Sequence, residues 1–325
     1  MPLKRTYCMK LVLCAFFCLI LLWFQLPRSL IDGRWSSILP FLSSKKTGVD
    51  FSSLFSEDLQ EPKCQDHQVL MILVTSHPGH RKSRKAVRET WAAPVTEATY
   101  PWQVVFLIGR TVDIELDWRI HKEQATYGDI LMGNYLDTYR NLTLKVMHGM
   151  KWASERCQPQ YILKTDDDCF VNTDHLPAFL ANHNMAKTGL YVGSVFPREK
   201  RMVTRDHTSK WYVSRQHFQL EFYPPYASGI GYILSLDVTR TILNVAETIP
   251  PIPVEDAYIG ILARRAKIKL LPSSRFTKYN IKWGICNYRY LMVIHQLLPG
   301  DQEFAQKNAQ WARTHCGQNT EVTHW

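Results

Sequence analysis

The chain has 325 residues, 46% of them hydrophobic, with 39 Lys and Arg against 29 Asp and Glu and a formal net charge of +10 at pH 7. That is enough apolar material for one large core plus appendages, and it excludes an intrinsically disordered chain. The positive charge is dispersed rather than gathered in a stripe, which argues against a nucleic-acid-binding surface and leaves acidic glycans or a membrane as counterparts.

Residues 1–10 carry Lys4, Arg5 and Lys10, and the sixteen residues from Leu11 to Leu26 carry no charge. Sixteen is short for a spanning helix but suits the thinner bilayers of the early secretory pathway. A cleaved signal peptide is the rival reading; bulky Trp23, Phe24 and Gln25 stand where small residues should mark a cleavage site. The expectation is an uncleaved signal-anchor, with Arg28 and Arg34 beyond it lending only weak support to the orientation. Residues 27–64 are Ser-rich with no sustained period and read as a tether, although Phe51, Leu54 and Phe55 can still pack on the body. The layout expected is therefore a cytoplasmic tail at 1–10, an anchor at 11–26, a lumenal stem at 27–64 and one folded domain at 65–325.

Cys8, Cys14 and Cys18 lie in or beside the anchor, Cys8 being a candidate for palmitoylation. Five cysteines remain for the lumen, where disulfides persist, and an odd number leaves one thiol over. Cys169, in an apolar setting, is taken as the buried free one. Pairing Cys64 with Cys157 and Cys286 with Cys316 is the arrangement adopted, though no spacing selects it.

In the body, Val69 to Thr75 reads as a strand followed by a Ser-His-Pro-Gly turn. Arg84 and Arg88 are four apart, so a helix places both guanidinia on one face, where they can hold a diphosphate, pack on a nucleobase or simply face water. Val104 to Ile108 is the second strand, Asp113 to Thr126 is helical in tendency, and Tyr127 to Met132 holds a turn and a short strand. Asp137 is expected to cap the next helix. Its buried face would comprise Tyr139, Leu142, Val146, Met150 and Ala153, and its wet face Asn141, Lys145 and His148. Asn141-Leu-Thr143 is the only glycosylation sequon and is expected to be accessible.

Next comes Tyr161-Ile-Leu-Lys-Thr-Asp-Asp-Asp-Cys-Phe-Val-Asn172, a short apolar run ending in three carboxylates. Acids at the end of a buried strand sit in the crevice where open α/β sheets bind ligands. In an extended segment Asp166 and Asp168 point the same way, and two hard oxygen ligands suit Mn²⁺ or Mg²⁺ on a nucleotide diphosphate. A solvated acidic turn is the plainer reading of this stretch alone. A helix from Leu176 to Leu180 and a strand at Leu190 to Val192 follow, and the alternation predicts an α/β fold with a largely parallel sheet.

Residues 197–226 are polar and aromatic and include Trp211 and Tyr226, which can stack on sugar rings or line a partly buried loop. In Ser228-Gly-Ile-Gly-Tyr232 two glycines precede a strand and let backbone approach a ligand. Glu255 and Asp256 open a helix, where acids also serve the helix dipole without any chemistry. His295, in the run Leu291-Met-Val-Ile294, reads by itself as a core histidine.

Taken together these stretches resemble the β-1,3-galactosyltransferase family (glycosyltransferase family 31), with its N-acetylglucosaminyl- and N-acetylgalactosaminyltransferase branches. The matching pieces are Arg84-Lys-Ala-Val-Arg-Glu-Thr-Trp91, Phe106-Leu-Ile-Gly109, Tyr127-Gly-Asp-Ile130, Asp137 to Lys145, Lys164 to Asn172, Ser228 to Tyr232 and Glu255-Asp-Ala-Tyr-Ile-Gly260. They run in the family's order and cover about Val69 to Cys316. Each piece is weak alone; the ordered set is specific.

The resemblance implies a GT-A fold, a Rossmann-like mixed and largely parallel sheet flanked by helices, behind an N-terminal transmembrane helix in a type II Golgi membrane protein. It implies inverting, metal-dependent transfer from a UDP-sugar. Asp168, with Asp166 and His295, is then expected to hold Mn²⁺ or Mg²⁺. Arg84, Arg88, Asp166 and Asp167 would face the UDP-sugar, Asp256 would act as base, and Trp211, Tyr226, Ser228, Gly229 and Glu255 would line the substrate loop. UDP-galactose is the donor expected, with UDP-GlcNAc and UDP-GalNAc as alternatives, and the partners are a glycoprotein or glycolipid acceptor, the Golgi membrane and a candidate second copy of the chain, with no nucleic acid. The chain departs from the family at Ala92, where Gly is usual, and at Ala227 and Leu262, where two cysteines often stand; their joint absence reads as one lost bridge. The rival from another class is a catalytically silent lumenal glycan-binding protein or chaperone on the same fold.

Overall fold

Four of the strands are apolar on both sides of the chain, which is what a sheet covered by helices on each face requires. In the computed structural model, which describes residues 49–55, 60–95, 98–184, 186–279 and 283–317, these are β1 (Leu70–Thr75), β2 (Trp102–Arg110), β3 (Ile130–Leu136) and β4 (Tyr161–Asp166). They pair in parallel in the order β3-β2-β1-β4. β7 (Ala227–Ser235) joins β4 antiparallel, and β6 (Tyr191–Val195) and the short β8 (Leu271–Pro272) complete seven strands. A three-stranded sheet is made by β5 (Phe170–Val171), β10 (Val293–Ile294) and β9 (Phe276–Thr277). The sheet is thus mixed and largely parallel, as expected.

Alternate residues of β1 feed two cores: Leu70, Ile72 and Val74 face one, Met71 and Leu73 the other. On the first face lie α1 (Arg81–Glu89), α2 (Ile114–Tyr127), α4 (Leu176–His183) and α7 (Pro299–His315). On the second lie α3 (Leu142–Trp152), α5 (Leu236–Ala246) and α6 (Glu255–Arg265). Local chemistry sets the ends: Asp113 caps α2 by accepting from the Glu115 and Leu116 amides, and Gly128 closes it at φ 67°.

Four expectations need correction. Folded structure begins by Val49, inside the stretch assigned to the stem, because Phe51 and Leu54 are buried and Phe55 bridges to Gly133. That segment covers the face of α3 expected to be wet. His148 is buried with its ring 4.7 Å from Phe55, and Lys145 is buried too, while Tyr139 is exposed rather than part of the core. Asp137 does not cap α3, which starts only at Leu142 after a 3-10 turn at Tyr139–Asn141. Its carboxylate instead accepts from the Gly109 amide and from Lys145 Nζ. Gly229 and Gly231 lie within β7, not ahead of it.

Two disulfides form as paired above, Cys64–Cys157 and Cys286–Cys316, and Cys169 is free and buried. Ala227 and Leu262 are both fully buried in the second core, so apolar packing stands where the missing bridge would be. Asn141 is half-buried with Nδ2 on the Leu136 carbonyl at 2.9 Å. Among the described residues no helix is long and apolar enough to cross a membrane; residues 11–26 and Cys8 lie outside them.

The Cys64–Cys157 bridge spans 93 residues of sequence and pins the start of the body to the end of α3. Replacing both cysteines with Ala is expected to cost about 2–5 kcal/mol in denaturant unfolding; an unchanged midpoint would show the bridge to be dispensable.

Candidate active site

The register that aligns Thr75 with Asp166 brings the ends of β1 and β4 together, so the residues after both strands share one crevice. The three acids there have three different environments. Asp166 accepts from the Thr75 hydroxyl and from Lys164 Nζ, the latter at 2.6 Å. Asp167 is buried, and its Oδ2 is taken up by Ser76 Oγ at 2.6 Å and His80 Nδ1 at 3.0 Å. Its carboxylate is therefore occupied by β1-side groups rather than presented to a ligand. Asp168 lies beyond the strand, half in solvent, with its backbone carbonyl accepting from the Leu297 amide at 2.9 Å.

That backbone link draws in the segment after β10, and His295 Nε2 comes to 3.3 Å from Asp168 Oδ2. One ligand atom from each of Asp166, Asp168 and His295 lies within 4.8 Å of the others. The histidine's other nitrogen, Nδ1, sits 2.9 Å from the Lys278 carbonyl. A carbonyl only accepts, so Nδ1 carries the proton and a neutral ring turns its Nε2 lone pair toward the Asp168 carboxylate. Two lone pairs that face each other need a proton or a cation between them, and the donor set fits a divalent cation. Burial opposes charge on both partners, but their mutual contact outweighs it: Asp168 is held below and His295 above their ordinary values.

The second half of the site comes from α6 and β7. Asp256, half-buried, accepts at Oδ2 from the Gly229 amide and at Oδ1 from the Ala257 amide, both at 2.9 Å. Burial raises its pKa, only partly offset by the Gly229 hydrogen bond. Glu255 lies beneath it, buried, accepting from the Tyr232 hydroxyl and 3.8 Å from Lys164 Nζ. Burial pushes Glu255 up to about 7 despite that lysine. Lys164 joins the halves, since its ammonium also donates to the Gly229 carbonyl. A Cβ on Gly229 would stand 3.4 Å from Glu255 Oε2 and 3.5 Å from Asp256 Oδ2, so glycine keeps the carboxylate uncovered.

Arg84 and Arg88 do share one side of α1, but it faces the protein. Arg84 is fully buried, donating to both Glu123 oxygens at 2.8 Å and to the Ser76, His77 and Pro78 oxygens. Arg88 donates to Glu123 and to both Asp129 oxygens and stacks on Phe106 and Tyr127. These guanidinia are committed to carboxylates, which corrects the expectation that they reach a diphosphate. Tyr226 and Ser228 are buried supports; Trp211 is 50% exposed. Lys164, in the middle of an apolar strand, was not singled out from sequence. The signal was there, because a lysine in such a run must be paired.

The galactosyltransferase family profile matches residues 82–273. The chain is 33% identical over 258 residues to beta-1,3-galactosyltransferase 5 of Gorilla gorilla gorilla, covering 78% of this chain and 84% of that one. It is 34% identical over 259 residues to UDP-GalNAc:beta-1,3-N-acetylgalactosaminyltransferase 1 of Sus scrofa, covering 76% and 77%. Among solved structures, the WbbM bifunctional glycosyltransferase superposes with a TM-score of 0.42 at 8% identity over 80% of this chain and 53% of that one, too loose a likeness to argue from. The protein is a glycosyltransferase, using a nucleotide-sugar donor and a glycan acceptor. Within that class the chain belongs to the galactosyltransferase family.

Two outcomes check these environments. Arg84→Met is expected to destabilise by about 3–5 kcal/mol, the usual result of breaking a buried pair, with donor KM within about twofold, because unpaired Glu123 charge is left behind. A raised donor KM at unchanged stability would return Arg84 to the diphosphate. Glu255 in the folded chain binds its proton more tightly than at its ordinary 4.5. It therefore weakens the fold progressively as pH rises from about 4.5 to about 7. Thermal unfolding followed across that range should show less loss in Glu255→Gln; parallel curves for the two proteins would contradict the assignment.

Proposed function

We propose that the protein transfers galactose from UDP-galactose to a hydroxyl of an acceptor glycan, with inversion, forming a β-1,3 linkage. The carrying observation is the pairing of a cation-ligand cluster, Asp166, Asp168 and His295, with a separate reachable carboxylate, Asp256, through one buried lysine. Galactose is favoured by the family profile and the relatives named β-1,3-galactosyltransferases. UDP-GalNAc is the second donor, because a relative of that name is equally similar, and UDP-GlcNAc the third. On this reading the sheet is a GT-A fold. Residues 11–26 anchor a type II protein in the Golgi membrane, with residues 49–317 lumenal and Asn141 as the glycan attachment point.

Asp166, Asp168 and His295 would hold the ion, and the imidazole among the ligands favours Mn²⁺ over Mg²⁺. A bound divalent ion supplies neutralisation of charge on the departing diphosphate. The chain's own part is proton transfer and exclusion of the wrong base. Asp256 takes the proton of the acceptor hydroxyl as its oxygen attacks C1. The C1–O bond to the β-phosphate breaks, its electron pair leaving with UDP, and the α-linked donor becomes a β-linked product. Burial makes Asp256 a stronger base than a surface aspartate. Glu255, though nearer neutrality, is sealed under Tyr232 and presents no face to an acceptor. It positions Lys164 instead.

Incubating the full chain, purified in detergent, with each UDP-sugar and with Gal-, GlcNAc- and GalNAc-terminated acceptors tests this. Transfer from UDP-galactose is expected, lost with EDTA, restored by Mn²⁺ and reduced at least about 100-fold in Asp256→Asn. A folded chain that binds glycans and transfers nothing would establish the silent binding protein instead. In the active enzyme kcat/KM should fall on the acid side through a pKa above the ordinary 3.8 of an aspartate, since Asp256 works deprotonated. A profile flat down to pH 4 would remove it as the base.

A further inference from the structure

A base at Asp256 is useful only if an acceptor ring is held beside it, and of the residues expected along the substrate loop only Trp211 offers an exposed ring. Tyr139 and Trp211 are placed for that. Tyr139 comes from the 3-10 turn after β3, at the same end of the sheet as the acids. The chain just beyond it is fixed to the approach to α6, because the Thr143 hydroxyl donates to the Ile252 carbonyl at 2.6 Å, four residues before Asp256. Trp211 comes from the 197–226 segment, which is built rather than loose. Arg205 donates to the carbonyls of Val213, Phe218 and Leu220, each at 2.8 Å, and Val213 is buried.

The two rings meet from these separate segments. Lys210, next to Trp211 in sequence, brings that segment against Tyr139, and burial, reinforced by the Asp256 charge, raises the Tyr139 phenol pKa to about 12. Lys210 Nζ lies 4.9 Å from the Tyr139 ring and 4.8 Å from that of Trp211, so one cation serves both. Yet Tyr139 remains 41% and Trp211 50% exposed. Large aromatics gathered around one cation and left in water serve the fold poorly. They suit a ligand that has an apolar face and polar edges, as a pyranose does.

We infer that Tyr139 and Trp211 form the platform for the acceptor's terminal sugar, its C–H face on the rings and its reacting hydroxyl toward Asp256. The inference rests on Asp256 being the base. Lys210 holds the platform and donates to a sugar oxygen at its edge.

The test separates platform from base. Saturation-transfer NMR on the full chain in detergent, with Mn²⁺ and UDP, would use the methyl β-glycosides of galactose, GlcNAc and GalNAc as probes. Saturation of at least one sugar is expected, falling at least about fivefold in Tyr139→Ala and Trp211→Ala but retained in Tyr139→Phe and Asp256→Asn. UDP affinity and thermal midpoint should stay near wild type in Trp211→Ala, whose exposed position makes misfolding no explanation. Undiminished sugar binding in both alanine variants would overturn the platform, as would no sugar bound by wild-type chain that binds UDP. Full transfer by Asp256→Asn would sink the base while leaving the sugar-binding result to stand on its own.

Discussion

Everything at the site depends on one buried ammonium. Lys164 is 1% exposed, and a charge so placed is tolerable only when it is paired and hydrogen-bonded. They go to Asp166 on its own strand and to the Gly229 carbonyl on β7, with Glu255 of α6 3.8 Å away. Burial opposes the charge, but Asp166 and Glu255 outweigh it and keep the lysine protonated. Three elements are thereby held in one arrangement. Through Asp166 the lysine reaches the Asp166, Asp168 and His295 cluster, and through Gly229 it reaches Asp256.

The same economy explains why three adjacent aspartates behave so differently. Asp166 ends a strand and inherits its partners from the register with β1. Asp167, one residue on, turns to Ser76 and His80 and closes the junction between β1 and α1. Asp168 is left half in solvent, and only its contact with His295 gives it direction. Arg84 and Arg88 show the converse. These two side chains look poised for a ligand but are taken up by Glu123 and Asp129, so their charge is structural.

Much of this was legible in the residues. The apolar runs of β1, β2 and β4 announced a sheet covered on both faces, and the odd count of five cysteines from Cys64 onward allowed at most two bridges and one free thiol. What failed was non-local. The wet face assigned to α3 is covered by Phe51, Leu54 and Phe55, some ninety residues earlier in the chain, and no helical period reports a cover that arrives from elsewhere. The spacing of Arg84 and Arg88 correctly predicted a shared face but not which way it points. His295 read by itself as a core residue; only resemblance made it a ligand, and its link to Lys278 and Asp168 depends on a register no local pattern carries. Helical spacing puts Tyr139 in the core, but it lies in a 3-10 turn that shifts its phase relative to α3 and leaves it exposed.

The central claim is that Asp166, Asp168 and His295 form a single cation site distinct from the base at Asp256. Electron paramagnetic resonance of Mn²⁺ titrated into the full chain with UDP tests it directly. One tightly held Mn²⁺ per chain is predicted, lost in His295→Ala and Asp168→Ala and unchanged in Asp256→Asn. Equal Mn²⁺ binding by the histidine and aspartate variants would contradict the account, as would loss of the ion in Asp256→Asn.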